Sequence, residues 1–203
     1  MITIVDYGVG NIKSFVNVYN RLNIPVKIAK TSSDLEDAHR LILPGVGHFD
    51  HAMSELIKSG MREKLDELVL VKKIPVIGIC VGMQMFADVG YEETETKGLG
   101  WISGNVKKID NRNNKFKLPH IGWNELSFTS NSKLLKEIGK KPHVYFVHSY
   151  KFIPSDEKHV SSKTNYSEEI VASVEKDNLF GTQFHPEKSD RIGLRIIENF
   201  IKL

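Results

Sequence analysis

Only one cysteine occurs among the 203 residues, so no disulfide can close within the chain and a reducing, cytoplasmic setting is expected. An excess of either charge is also missing. The 28 Lys and Arg stand against 25 Asp and Glu and are spread along the chain without a basic stripe or tail, which speaks against a nucleic-acid partner. No run approaches the roughly 18 consecutive apolar residues of a membrane-spanning helix, and the opening MITIVDYGVG lacks the basic flank and long apolar segment of a secretory signal. Repeats, low-complexity stretches and linkers are absent as well. With 40% hydrophobic residues the chain can bury one sizeable core, so a single domain over residues 1–203 is expected.

The first half alternates short apolar runs with amphipathic segments, the pattern of βαβ units in a largely parallel sheet. Strands are predicted at Ile2–Val5, Val26–Ala29, Arg40–Leu43 and Pro75–Ile79. Helices are predicted from about Asn11 to Leu22, at Phe49–Ser59 and Met61–Val71 on either side of Gly60, and at Val81–Asp88. The second half offers consecutive strands at Trp101–Ile109, Lys115–Phe128, Val144–Phe152, Val160–Tyr166, Ile170–Glu175 and Leu179–Phe184, which implies antiparallel pairing. Glu92–Lys97 reads as a polar loop, and an amphipathic helix at about Asp190–Ile201 ends the chain. The fold class that follows is α/β: an open, mixed, mostly parallel sheet with helices on both faces and antiparallel strands in the C-terminal half.

Within this pattern IPVIGICVGMQMF places Cys80 where a buried strand turns into a helix, with Gly78 and Gly82 two residues to either side. That is the arrangement of a nucleophile elbow with sulfur in place of a serine oxygen: the glycines let strand and helix pack closely, and the turn projects the side chain out of the sheet. The alternative, a small buried cysteine, explains the thiol but not its glycines. A thiol nucleophile needs a base, and among the eight histidines His185 stands out, closing the strand LFGTQF two residues before Glu187. Side chains two apart in an extended chain share a face, so the carboxylate can orient the imidazole. The turn Pro44–Gly45–Val46–Gly47 ends a parallel strand as the elbow does, and N–H groups of Val46 and Gly47, with that of Val81, are candidates to receive an oxyanion. His48 and His51 have a spacing a metal can use, but no further ligand completes a set, so neither a metal nor a cofactor is expected. DYGVGN lacks the third glycine of a dinucleotide fingerprint and reads as a tight βα turn.

Together GICVGMQ, LPGVG and QFHPEKS resemble the triad-type glutamine amidotransferases, over nearly the whole chain. DYGVGN, PHIGWN at Pro119–Asn124 and YFVHSY at Tyr145–Tyr150 look most like the glutaminase subunits of imidazole glycerol phosphate synthases. The resemblance implies Cys80 as nucleophile, His185 as general acid and base, and Glu187 as its orienting partner. It further implies Gln84, Gly47, Ser149 and Tyr150 around a glutamine substrate, and Asn11, Trp123 and Lys188 toward a partner. That partner would be a (β/α)₈-barrel cyclase subunit receiving ammonia in a heterodimer, with the Val46 amide turning toward the sulfur on docking. The segment Gly90–Trp101 departs from the commoner family pattern, which leaves the roles of Glu92 and Glu93 open. Three other readings remain: a paralogous subunit feeding a synthase of amidino-sugars for surface polysaccharide, a cysteine peptidase, and a triad-degenerate binding subunit, against which the intact Cys80, His185 and Glu187 argue.

Overall fold

The computed structural model describes Met1–Leu203 throughout. In chain order the elements are β1 (Ile2–Val5), α1 (Ile12–Arg21), β2 (Val26–Ala29), β3 (Leu41–Gly45), α2 (Phe49–Lys58), α3 (Arg62–Asp66), β4 (Val76–Cys80), α4 (Val81–Gln84), β5 (Val89–Tyr91), β6 (Glu95–Lys97) and β7 (Gly104–Lys108). Then follow β8 (His120–Glu125), β9 (Ser127–Phe128), β10 (His143–His148), β11 (Tyr150–Pro154), β12 (Val160–Asn165), β13 (Glu169–Lys176), β14 (Leu179–Thr182) and α5 (Asp190–Ile201).

Eight strands form the main sheet in the order β2-β1-β3-β4-β14-β13-β12-β9. From β2 to β14 the pairings are parallel, and from β14 to β9 they are antiparallel. Every residue of β1, β3, β4 and β14 is buried, which requires cover on both faces of the sheet centre. The expected α/β architecture is therefore present. One connected apolar cluster runs from Ile2 to Phe200. In α1 the buried side is Phe15, Val18 and Tyr19 with Ile12, Val16 and Leu22 at its margins, and Asn11 caps the helix by accepting the Ser14 N–H.

Several expectations need correction. The second-half strands do not all join the main sheet: β10 pairs with β8 as a separate ribbon, and β11-β7-β5-β6 make a third sheet. The strand predicted at Arg40–Leu43 starts at Leu41 and continues through Pro44 and Gly45, so only Val46 and Gly47 remain of the turn. The segment predicted as strand from Lys115 becomes one only at His120, because Arg112, Asn113 and Asn114 all take positive φ and Pro119 has no N–H for a ladder. Val144–Phe152 is two strands broken at Ser149, where the chain leaves β8 as partner and takes up β7.

Around Gly90–Trp101 the sequence misleads twice. The helix after Cys80 ends at Gln84 and not at Asp88, since the carbonyls of Met85 to Asp88 accept N–H groups from Gly98 to Ile102 instead of continuing an i to i+4 ladder. The supposed polar loop Glu92–Lys97 contributes β6 to a hairpin with β5. Asp50 holds that hairpin by accepting from Glu93 N, Thr94 Oγ1 and Thr96 Oγ1, while Glu92 Oε2 accepts the Phe49 N–H at 2.7 Å. Thr and Glu at alternate positions can pair as well as loop, and the deciding partner lies more than forty residues away on α2.

Candidate active site

β3, β4 and β14 lie side by side and end at one edge, delivering Val46 and Gly47, Cys80, and Gln183 to His185 to the same place. Cys80 closes β4 with φ 55° and ψ −112°, a conformation that costs a residue with a Cβ on the order of 1–3 kcal/mol and is typical of a strained strand-to-helix turn. Its flanks leave no room for side chains: a Cβ on Gly82 would meet the Leu43 carbonyl oxygen at 1.9 Å, and one on Gly78 the Gly82 oxygen at 2.6 Å. Tyr7 fixes the neighbouring strand end by donating its hydroxyl to the Pro44 carbonyl at 2.6 Å. Burial, reinforced by the Cys80 charge, pushes the ionisation of that hydroxyl far up, so it stays a donor.

His185 Nδ1 sits 2.7 Å from Glu187 Oε1, with both side chains almost wholly enclosed. Nε2 is therefore the nitrogen left for chemistry; it is buried without a hydrogen-bond partner on the cavity that also holds Cys80. Burial pulls the His185 pKa down, but the nearby Cys80 sulfur and the Glu187 carboxylate outweigh it and raise the value to about 10. Both neighbours thus favour the protonated ring. The cavity, of about 540 Å³, also takes in Val46, Gly47, Val81, Gln84, Ser149 and Tyr150, so every residue predicted from sequence for oxyanion and substrate contact lies on its wall. Glu187 does not, consistent with an orienting position behind the imidazole. The N–H groups of Val46 and Gly47 donate to no group of the chain, and Gly47 holds φ at +84°.

Sequence reasoning missed part of the site. Gln183 directs its amide N–H at the Cys80 sulfur over 3.6 Å and accepts from Gln84 Nε2 at 3.0 Å. Its position on the LFGTQF strand, two residues before His185, was the available signal. Gln84 also donates to the Tyr150 carbonyl at 3.0 Å, so both its donors are engaged and its carbonyl oxygen is what remains for a ligand. Glu92 lines the cavity, and burial raises its pKa; His48 Nδ1 lies 3.4 Å from it and 3.1 Å from Glu93. His120 and His148, unremarked within PHIGWN and YFVHSY, prove to be buried and bonded to each other at 3.1 Å.

A second, small cavity of about 20 Å³ lies against His185 and Glu187 and is lined also by Asn11, Val46 and Lys188. From there an open groove runs past Lys188 to Trp123, whose ring is 49% exposed and meets Tyr145 edge-on; Lys188 Nζ stands 5.8 Å over the Tyr145 ring. Asn11 and Lys188 thus line the small cavity, and Lys188 and Trp123 line the groove beside it.

The sequence profile described as Glutamine amidotransferase class-I matches residues 3–203. The chain belongs to the class-I glutamine amidotransferase family. Amidotransferases similar to it over its whole length include the imidazole glycerol phosphate synthase subunit HisH of Pelagibacter ubique (strain HTCC1062), 53% identical with 99% of that protein covered, and the subunit of the same name from Leptospira borgpetersenii, 47% identical with 100% covered. Among solved structures, one titled as a glutamine amidotransferase superposes with a TM-score of 0.76 at 18% identity, covering 99% of this chain and 97% of that one. PurLQS of Thermotoga maritima gives the same TM-score at 16% identity with the same coverage, so the amidotransferase fold is shared well beyond sequence likeness.

The buried histidines are expected to make the fold of this amidotransferase sensitive to acid. Burial lowers the His148 pKa to about 3 and that of His120 to about 4, against 6.5 for an exposed imidazole. Between these values the unfolded chain binds protons that the folded chain refuses, so stability is complete above pH 6.5 and falls as pH drops from there toward 3. His148 alone is expected to cost about 2 kcal/mol at pH 5 relative to pH 7. Urea unfolding at the two pH values checks this, and His148→Gln, neutral throughout, should lose correspondingly less on acidification. An equal loss in both proteins would remove His148 as the cause.

Proposed function

We propose that this chain is the glutaminase subunit of an imidazole glycerol phosphate synthase. It hydrolyses glutamine to glutamate and ammonia, as one domain in the cytoplasm. It passes the ammonia to a (β/α)₈-barrel cyclase, which makes imidazole glycerol phosphate and aminoimidazole carboxamide ribotide in histidine biosynthesis. The observation that carries the chemistry is His185, paired with Glu187 at 2.7 Å and lining the cavity of Cys80. The relatives at 53% and 47% identity, both named as subunits of that synthase, favour this pathway over the amidino-sugar paralogue.

In the reaction the Cys80 sulfur attacks the Cδ carbon of the glutamine amide, and the displaced electron pair goes to the carbonyl oxygen. N–H groups of Val46, Gly47 and Val81 receive that oxyanion. His185 gives its proton to the leaving nitrogen, the C–N bond breaks and ammonia departs, leaving a γ-glutamyl thioester. Water then attacks the thioester while His185 takes its proton, and collapse releases glutamate and restores the sulfur. Gln84 accepts from the substrate through its free carbonyl oxygen, Ser149 and Tyr150 clasp the amino-acid end through their backbone, and the Glu92 carboxylate suits the substrate ammonium. Ammonia leaves through the small cavity behind His185, whose volume fits one molecule of that size, toward a partner docked on Asn11, Lys188 and Trp123.

Docking turns the Val46 amide toward the sulfur. Withholding one oxyanion donor lowers turnover about 10²- to 10³-fold, so glutamine hydrolysis by the chain alone is expected to be slower by that factor than in the presence of the cyclase. The assay follows glutamate and imidazole glycerol phosphate together. Equal glutamate release with and without the cyclase would reject the gating, and failure of the mixture to form imidazole glycerol phosphate would reject the pathway.

A further inference from the structure

A chain of hydrogen bonds crosses the interior from the β8–β10 ribbon to the nucleophile, and its direction follows from one atom. The Tyr150 carbonyl oxygen can only accept, and it has two donors: His148 Nδ1 at 2.8 Å and Gln84 Nε2 at 3.0 Å. On the first branch His148 must carry its proton on Nδ1. Its Nε2 is then an acceptor, so His120 Nδ1, 3.1 Å away, must be the donor. His120 Nε2 accepts in turn from Asn124 Nδ2 at 3.3 Å, and Asn124 is held in that orientation by donating to the Asn165 carbonyl and accepting from Glu125 N. On the second branch Gln84 Nε2 also donates to Gln183 Oε1, which leaves the Gln183 N–H for the Cys80 sulfur. No group in the series can be reversed without opposing two donors or two acceptors somewhere along it.

Stacking also holds the His120 ring against turning over. His120 is stacked between Phe146 and Tyr166, with centroids 4.8 and 4.2 Å away. The titratable groups facing the pair are Tyr166, each other, and His185 on the side of His148. Burial keeps both imidazoles neutral, which the alternation of donor and acceptor demands.

We propose that His120 and His148 are positioning residues of the glutaminase reaction: their one-way hydrogen bonds fix the Tyr150 carbonyl, which orients the Gln84 and Gln183 amides and so aims an N–H at the Cys80 sulfur. The ribbon that carries the two histidines presents Ile121 and Trp123 on its opposite face, 59% and 49% exposed, so the same backbone links the groove near Lys188 to the sulfur. This rests on the glutaminase reading above.

The test uses the complex of the chain with its cyclase, assayed with glutamine and, separately, with ammonium salt. His148→Phe keeps a planar aromatic ring, somewhat larger, and removes both hydrogen bonds; kcat/KM for glutamine is expected to fall about 10- to 100-fold, the range a displaced reacting group commands, while ammonium-dependent synthesis is unchanged. His148→Asn, which sets an amide N–H near the place of Nδ1, regains most of the loss even though it leaves a cavity. A histidine that merely fills the core would give the opposite order, Asn worse than Phe, and that order overturns the proposal, as does wild-type activity in His148→Phe. Independently of how the variants fold, nitrogen NMR of the imidazoles in the unmodified protein at pH 7 should find both rings neutral with the proton on Nδ1. A proton on Nε2 of either ring overturns the relay. An unmodified complex that forms product from ammonium but not from glutamine would reject the glutaminase reading itself, and leaves the tautomer measurement to decide the relay alone.

Discussion

Cys80→Ala is expected to lower glutamine-dependent turnover by on the order of 10⁵- to 10⁶-fold, the scale seen when the nucleophile of a catalytic triad is removed, while synthesis from added ammonium salt stays intact. The split follows from geometry. In the proposed reaction the sulfur contributes only to release of ammonia, and the proposed docking surface around Lys188 and Trp123 is built from other elements. Alanine keeps the Cβ and hence the strained φ of 55°, so the fold pays nothing new for the change. Parallel assays with glutamine and ammonium measure it, and loss of both activities would mean that the thiol serves folding or docking.

Glu187→Gln should come second, with a fall in glutamine turnover of about 10³- to 10⁴-fold, comparable to neutralising the acid of a serine-protease triad. Glu187 Oε1 accepts from His185 Nδ1 at 2.7 Å, and its Oε2 is buried without a partner, so nothing else holds the side chain in register. An amide there either presents its N–H₂ to Nδ1, forcing the wrong tautomer, or accepts without a charge. In both cases the imidazolium loses its buried counter-ion and the His185 pKa drops from about 10. The sign is fixed by the proton the leaving nitrogen needs: activity is lost as pH rises through the His185 pKa, so the alkaline limb of the pH profile should move to lower pH in the variant. Stability carries the same mark, because the contribution of His185 is complete below 6.5 and is lost as pH rises toward 10. A variant with an unshifted alkaline limb would show that Glu187 does not tune the imidazole.

Local rules carried the readings of Cys80, His185 and Glu187. Gly78 and Gly82 flank Cys80 because steric contacts within a few ångströms forbid side chains at those two positions, and such contacts leave a readable trace. His185 and Glu187 are two apart, so their pairing is also local. The helix after Cys80 was overestimated for the converse reason: its carbonyls are claimed by Gly98 to Ile102, and nothing in VGMQMFAD announces them. The hairpin at Glu95–Lys97 was missed because Asp50 supports it from α2.

By itself, then, the sequence determined a parallel α/β sheet with a cysteine elbow, a histidine and carboxylate pair at a sheet edge, and the loop at Val46 and Gly47, since each is written in spacing or in glycines that sterics demand. Only the tertiary structure decided that the second-half strands divide among three sheets, that Gln183 reaches the sulfur, and that His120 and His148 bond across facing strands. Hydrogen bonds between residues 28 to 103 positions apart depend on register and on burial, and both exist only once the chain has packed.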